Sequence, residues 1–240
     1  MKTTNSDTQD YLIALQIAFD LASSATQEFL HKVRSHLPPT TLPYINGSPD
    51  DGDPKCLNAL PKSFAQFAKI LSREITIGMN LDFLFRTNNT DVVILNKIRD
   101  SLDSRNSIFH TAVSLANAYM YAGTTIDSFI RDNLEWLGKA MNWSKFTATA
   151  ALGVIHRGHL SQGMTLLEPY LPGSSGTSSP YAEGGSLFGL GLIFANHGLT
   201  ASKYLLQQLQ DANDEVVQHG AALGLGVAGM ATADESNFPS

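Results

Sequence analysis

Apolar residues recur along most of this chain with the period of a helix. Between residues 10 and 36 they return at intervals of three and four, which predicts two amphipathic helices. The same spacing resumes at residue 63 and continues to residue 137. The alternation of apolar and polar residues that is typical of a half-buried strand is nowhere sustained. The pattern therefore predicts an all-α protein.

Changes in composition divide the chain into four segments. Segment 37–62 is rich in Pro, Gly, Ser and Asp and has too little apolar surface to offset the entropy of ordering, so we expect a disordered acidic loop. It separates a predicted helical hairpin over 1–36 from a predicted helical rod over 63–144. The fourth segment, 145–240, is set apart by its glycine and alanine content and by internal repetition.

The repetition in segment 145–240 is marked by a glycine that recurs in three aligned stretches. These glycines are Gly153, Gly191 and Gly226, and they are separated by roughly 35 to 38 residues, a length typical of helix-turn-helix repeats. The predicted units are 145–171, 181–210 and 215–240, the last of them incomplete. Each unit is interpreted as one helix rich in small residues followed by one ordinary amphipathic helix.

The second and third units match best, because two further glycines of each align at one constant offset. These are Gly185 and Gly189 in the second unit and Gly220 and Gly224 in the third. A weaker, earlier copy is predicted in Ala112–Gly123, within the rod segment.

Glycine inside a helix needs a physical reason, since each one costs about 1 kcal/mol relative to alanine. Close packing supplies the reason, because the missing Cβ lets a neighbouring backbone approach. A stack of such helices forms a tight inner wall, while the leucine-bearing helices form an outer wall. We therefore expect an α-solenoid of helical hairpins.

The repeat sequence also resembles a known family. The pattern within Tyr181–Gly198 resembles the proteasome/cyclosome repeat, and the block Arg131–Ala150 is similar to the family of 26S proteasome non-ATPase regulatory subunit 1. Ala14–Leu21 and Phe83–Asp91 resemble the helical rod of the same family, so the resemblance covers nearly the whole chain. The sister family of non-ATPase regulatory subunit 2 shares the repeat, and remains an alternative that fits residues 132–150 less well.

The resemblance implies a structural scaffold in the base of the proteasome regulatory particle, hence a regulator of an enzyme rather than an enzyme. Implied partners are the ATPase ring, the lid and the ubiquitin receptors, with ubiquitin or ubiquitin-like domains as candidates, in the cytoplasm and nucleus. Subunits of this family are far longer than 240 residues. The chain is therefore expected to be a fragment, truncated before the repeats close into a toroid.

Composition further limits the classes of partner that the chain is expected to bind. The formal charge of -6, without a dense run of Lys or Arg, argues against nucleic acid, which requires a basic face. The longest apolar runs reach about half of the roughly 20 residues that a membrane helix needs, so no membrane span is predicted. The N-terminus lacks the layout of a signal peptide, and the single cysteine, Cys56, cannot form an internal disulfide.

One glycine motif indicates a different class of protein. Gly224–Gly229 reads G-x-G-x-x-G, which in a dinucleotide-binding enzyme lets a helix N-terminus approach a pyrophosphate. That fingerprint also needs a preceding strand and an acidic residue about 20 positions later. Neither is evident in the sequence, so the enzyme is the alternative and the scaffold is the prediction.

Histidines recur near the ends of the small-residue helices. His156 and His159, with His197 at the position of His159, suggest metal ligands, but no cysteine or paired carboxylate accompanies them. We expect instead that His159, His197 and Gly198 lie in helix-end turns and satisfy the last carbonyls there. No metal, cofactor or catalytic residue is predicted. Trp136 and Trp143 are both expected to fill the core.

Overall fold

A computed structural model describes residues 5–37, 62–103, 105–173, 179–198 and 201–233. All regular secondary structure in these ranges is helical, which confirms the prediction of an all-α solenoid. The predicted loop 37–62 lies almost entirely outside the described residues. The chain divides into two units, Met1–Asn80 and Leu81–Ser240, and the division falls inside the predicted rod segment.

The helices run in chain order as follows. The first four are α1 (Asn5–Ser24), α2 (Gln27–Ser35), α3 (Lys62–Leu71) and α4 (Glu74–Thr87). The next four are α5 (Val92–Ser101), α6 (Ser107–Met120), α7 (Ser128–Asp132) and α8 (Leu134–Gly138). The remaining five are α9 (Trp143–Ile155), α10 (Gly163–Leu167), α11 (Pro180–Ile193), α12 (Ser202–Asp211) and α13 (Glu215–Ala228). A 3-10 turn, Glu168–Tyr170, follows α10 directly.

The first unit is held by a small core between α1, α2 and α3. Ala18, Leu30 and Ile70 are among its buried side chains. Thr26 caps α2 by accepting a hydrogen bond from the backbone N–H of Phe29, which satisfies one of the free donors at a helix start. The segment 1–36 contains α1 and α2, and each of these helices packs on α3.

The second unit is a stack. The helices α6, α9, α11 and α13 pack one against the next in that order, and we call them the inner helices. The shorter α10 packs on α11 and α12 packs on α13, so they form a second layer. Apolar side chains of both layers make one continuous core across the repeats, with Leu187, Leu190 and Leu205 completely buried.

The stack begins earlier than the strong repeats do. Ala112–Gly123, the weak copy within the rod segment, forms most of α6 and the turn after it. Because α6 packs against α9 as α9 packs against α11, four inner helices share one arrangement.

The two tryptophans differ in burial, and the prediction for Trp143 is wrong. Trp136 is partly buried and stacks on His110 with ring centroids 4.0 Å apart. Trp143 is 52% exposed, because it begins α9 at the surface end of the stack. Its ring still contacts Phe146, Tyr181 and His219 at centroid distances of 5.3 to 5.6 Å.

Candidate functional site: the glycine-lined packing face of the inner helices

The inner helices touch backbone to backbone at glycines that point forward along the stack. A Cβ on Gly153 would collide with the backbone of Gly189, and a Cβ on Gly191 would collide with the backbone of Gly224. These two pairs are equivalent, since Gly153 aligns with Gly191 and Gly189 with Gly224. Any side chain at Gly153 or Gly191 would therefore force the neighbouring helix away.

A second group of glycines points backward, towards the preceding helix. A Cβ on Gly185 would meet the backbone of Phe146, one on Gly220 would meet the backbone of Gly184, and one on Gly224 would lie 2.5 Å from the carbonyl oxygen of Leu187. Gly189 is less crowded, because its Cβ position lies 3.5 Å from the nearest atoms, an ordinary contact distance. Both helices of a facing pair can therefore contribute glycines to the close approach of their backbones.

Gly184 makes room for an aromatic side chain. Its Cβ position lies 3.1 Å from Phe146 Cε2 and 2.5 Å from the carbonyl oxygen of Val216. Through this gap the Phe146 ring extends from α9 across α11 towards α13, where it lies 6.2 Å from the ring of His219. Phe146 of α9 therefore packs on α11 and reaches the ring of His219 on α13.

Gly226 differs from its counterparts in the described residues, because its Cβ position meets no neighbouring helix there. No atom lies within 4 Å of its Cβ position, and the residue is exposed. The reason is its place in the stack, because Gly226 points forward from α13 and no described helix follows. The surface that α11 buries beneath α13 has a counterpart on α13, and no helix among the described residues covers it.

A left-handed residue follows every inner helix, two positions after its C-cap. These residues are Gly123, Gly158, Asn196 and Ala231, with φ angles of 67°, 86°, 62° and 59°. Glycine and asparagine tolerate this conformation well, whereas alanine adopts it at a cost. The same turn therefore ends all four inner helices, including α6.

The turns also join neighbouring repeats through the backbone. The N–H of Gly123 donates to the carbonyl oxygen of Val154 at 3.0 Å, and the N–H of Gly158 donates to that of Ile193 at 3.0 Å. The N–H of Asn196 makes a longer contact of 3.5 Å to Val227. These bonds add a donor to carbonyl groups in the last turn of the next inner helix, where the regular intrahelical donors run out.

His159 and His197 each follow directly after the left-handed region that ends an inner helix. The backbone N–H of His159 donates to the carbonyl oxygen of His156 at 3.0 Å, and that of His197 donates to Phe194 at 2.8 Å. Gly198 follows at once, and a Cβ on it would collide with the backbone of Ala228 at the end of α13. Both histidines thus occupy equivalent places in successive turns.

His156 is the one buried histidine of this group. Its Nε2 atom lies 3.5 Å from Asp127 Oδ2, too far for a good hydrogen bond, and its ring stacks on His159 at 6.3 Å. Burial lowers the pKa of His156, and the nearby His159 and Arg131 act in the same direction, while Asp127 opposes them. The uncharged imidazole is therefore favoured in the fold.

Polar residues that the sequence pattern does not reveal are buried on α6. Ser114 and Asn117 are almost inaccessible, and neither side chain forms a hydrogen bond within the described part of the chain. His110, one turn before Ser114, is also buried and lies under Trp136. His110, Ser114 and Asn117 follow the three-to-four spacing of the buried side of a helix. Only that spacing could predict their burial from the sequence.

The structure does not favour a dinucleotide site at Gly224–Gly229. Gly224 and Gly226 lie inside α13 rather than in a turn before a helix, and the described residues contain no strand to precede it. Gly224 instead packs against Leu187. Its lack of a side chain therefore serves contact between helices.

None of the helices in the described residues has both the length and the apolar character to cross a membrane. In the same ranges, His, Cys, Asp and Glu side chains do not gather into a group of three that could hold a metal ion.

This geometry defines an α-solenoid whose repeats pack through glycine. Two family descriptions match the chain, "26S proteasome subunit RPN2, N-terminal domain" over residues 2–89 and "Proteasome/cyclosome repeat" over residues 147–179 and 185–218. The chain belongs to the RPN2 family of proteasome/cyclosome-repeat proteins. The two repeat matches begin after α6, which the turn geometry places in the same series.

Named relatives agree with this family. The chain is 48% identical to "26S proteasome regulatory subunit rpn2" of Schizosaccharomyces pombe, covering 99% of this chain and 24% of the relative. It is 44% identical to "26S proteasome non-ATPase regulatory subunit 1 homolog A" of Arabidopsis thaliana, covering 99% and 26%. For "26S proteasome non-ATPase regulatory subunit 1" of Drosophila melanogaster the identity is 44%, covering 96% and 26%.

The chain thus spans about a quarter of the length of these relatives. The sister family of non-ATPase regulatory subunit 2, the alternative raised by the repeat sequence, is not favoured.

Proposed function

We propose that this chain is a structural scaffold of the 26S proteasome regulatory particle, and that it regulates ubiquitin-dependent degradation by holding other subunits. The observation that carries the proposal is the glycine-lined stack, with Gly153 against Gly189 and Gly191 against Gly224. Such contacts fix the curvature of a solenoid and so the shape of its binding surfaces. The relatives bear the names of regulatory subunits of the same particle.

The proposed partners are the other subunits of the regulatory particle, namely the ATPase ring, the lid and the ubiquitin receptors. Ubiquitin or a ubiquitin-like domain is a further candidate. The chain would contribute geometry rather than a chemical step, and the glycines would serve repeat packing rather than ligand binding. The corresponding location is the cytoplasm and the nucleus.

A co-sedimentation experiment tests the scaffold. The native protein is tagged at its own locus, and extracts are separated on a glycerol gradient in the presence of ATP. We expect the tag to sediment with the peptidase activity of the 26S proteasome and to co-purify ATPase subunits. The variant Gly191→Leu should lose this co-sedimentation, whereas Gly78→Leu, at an exposed helical glycine with open space around it, should retain it. Sedimentation of the wild-type protein away from the proteasome would contradict the proposal.

A further inference from the structure

Two polar side chains on the buried side of α6 have no hydrogen-bond partner within the described residues. Ser114 is 4% exposed and Asn117 is 1% exposed. The atoms without a partner are Ser114 Oγ and both Oδ1 and Nδ2 of Asn117. Buried polar groups in folded proteins are almost always hydrogen-bonded, so two such side chains on one helix indicate a missing partner.

The other buried hydroxyl and amide side chains described in this unit donate to backbone carbonyl oxygens. They are Thr124, Asn133, Ser144, Thr149, Ser186, Ser202 and Thr232. Thr149 occupies on α9 the position of Ser114 on α6, nine residues before the left-handed residue of its turn. Its Oγ1 atom donates to the carbonyl oxygen of Lys145 at 3.0 Å. This position of an inner helix therefore does not by itself leave a hydroxyl unpaired.

Asn117 stands where the strong repeats carry leucine. Like Asn117, the residues Leu152, Leu190 and Leu225 lie six positions before the left-handed residue of their turns. All three leucines are buried in the core of the strong repeats. The amide of Asn117 thus occupies a position that is apolar in the other inner helices.

The surroundings of Asn117 are apolar. Val113 and Tyr121 lie one helical turn before and after it, on the same side of α6. Both belong to a buried core that also contains Leu95, Phe129 and Ile155. An ion would lose its hydration on entering such a core, so a neutral ligand is favoured there.

Ser114 and Asn117 can share one small ligand. They are three positions apart on the helix, which brings their Cβ atoms to about 5 to 6 Å. The amide offers donors and an acceptor, and the hydroxyl can donate or accept. Water also does both, and a buried water typically makes about three hydrogen bonds. Ser114 is much smaller than Leu187, its counterpart on α11, so we expect room for a water beside its hydroxyl.

We propose that the buried side of α6 binds an internal water that bridges Ser114 Oγ and the side-chain amide of Asn117. Hydrogen bonds through an ordered water are nearly as favourable as direct ones. The water therefore lets α6 bury polar residues at the two positions where α11 buries Leu187 and Leu190. The packing of α6 depends on bound solvent, whereas that of α11 depends on apolar contact.

Stability measurements on the purified full-length chain test the bridge. Ser114→Ala removes one anchor of the water and leaves the Asn117 amide short of a partner, so the unfolding equilibrium constant should rise about tenfold. In an Asn117→Leu background the water has already lost its other anchor. There Ser114→Ala should slightly stabilise the fold, because alanine favours a helix. Urea denaturation followed by circular dichroism gives both values in one double-mutant cycle.

Ser186→Ala on α11 is the matched control. Ser186 is also buried, but its Oγ atom donates to the carbonyl oxygens of Tyr170 and Glu183. The change removes the same hydroxyl group at a site that needs no water, so it should lower stability equally with Asn117 and with Leu at position 117.

Oxygen-17 magnetic relaxation of the solvent counts long-lived internal waters directly. The double variant with Ser114→Ala and Asn117→Leu should hold one such water fewer than the wild type. Ser186→Ala should leave the number unchanged.

Three results would overturn the proposal. A gain of stability from Ser114→Ala in the wild-type background would show a dry pair whose polar groups are simply unpaired. An equal loss in both backgrounds would assign the Ser114 hydroxyl to a carbonyl of its own helix. An unchanged number of long-lived waters in the double variant would show that no water binds at this site.

Discussion

The Cα atom of Gly224 lies within the space that a Cβ on Gly191 would need. The two residues face each other on α11 and α13, and neither helix can carry a side chain there at the present separation. The intrinsic cost of glycine in a helix, about 1 kcal/mol, is thus offset by contact between two backbones. Gly153 and Gly189 repeat the arrangement one unit earlier.

Gly191→Ala and Gly226→Ala should change stability in opposite directions, although the two glycines are equivalent in register. The first places a methyl group against the Gly224 backbone and should lower the free energy of unfolding by about 2 to 3 kcal/mol. The second adds a methyl group in open space and should raise it by about 0.5 to 1 kcal/mol through helix propensity. Urea denaturation followed by circular dichroism measures both, and equal effects would contradict the packing described for Gly191.

The turn after α13 is a site for a stabilising substitution. Ala231 adopts a φ of 59°, where an L residue is strained by about 1 to 2 kcal/mol. Ala231→Gly should relieve most of that strain and raise the unfolding free energy by about 0.5 to 1 kcal/mol. Gly158→Ala, at the equivalent turn with φ of 86°, should lower it by a similar amount or more. Thermal melting of the two variants beside the wild type checks the pair, and a loss of stability in Ala231→Gly would contradict the assignment of strain.

Acid should weaken the fold through His156. Burial lowers the pKa of this histidine below 6.5, so as the pH falls through 6.5 the unfolded chain takes up a proton before the folded chain does. Stability is therefore greatest above about pH 6.5 and declines as the pH drops towards the folded-state pKa. Urea midpoints measured across this range for the wild type and for His156→Gln test the effect. The variant should show a shallower decline, and identical slopes would assign the acid sensitivity to other groups.

Phe146 should be the most costly aromatic residue to remove from the strong repeats. It is buried and links α9 to both α11 and α13, so Phe146→Ala should lower the unfolding free energy by about 3 to 5 kcal/mol. Trp143→Ala is the control, since that neighbouring ring is larger but 52% exposed and should cost clearly less. Urea denaturation compares the two. A greater loss for Trp143 would contradict the central place of Phe146.

The sequence predicts the helical architecture and the strong repeats well, because both depend on short-range spacing. Gly153 and Gly191 meet the next helix because the same residue type recurs at the same place in each unit. The pattern could not predict that Gly226 meets no helix among the described residues, because register specifies which residues are equivalent and not what faces each of them.

Other features needed three-dimensional information. The exposure of Trp143 depends on its place at the start of α9, whereas apolar character alone predicts burial. Asn117 and Ser114 lie on the buried side of α6, where the spacing predicts apolar residues. The sequence of Ala112–Gly123 indicates only weakly that α6 belongs to the stack. The left-handed turn at Gly123 gives stronger evidence that it does.

The amide-to-carbonyl bonds between successive turns have a mechanical consequence. Gly123 is joined to Val154 and Gly158 to Ile193, while the glycine contacts hold the same helices together along their length. A helix fixed both along its side and at its end cannot rotate independently of its neighbour. A force applied to one repeat is therefore transmitted to the next, and the stack should bend elastically as a spring does rather than hinge at a single joint.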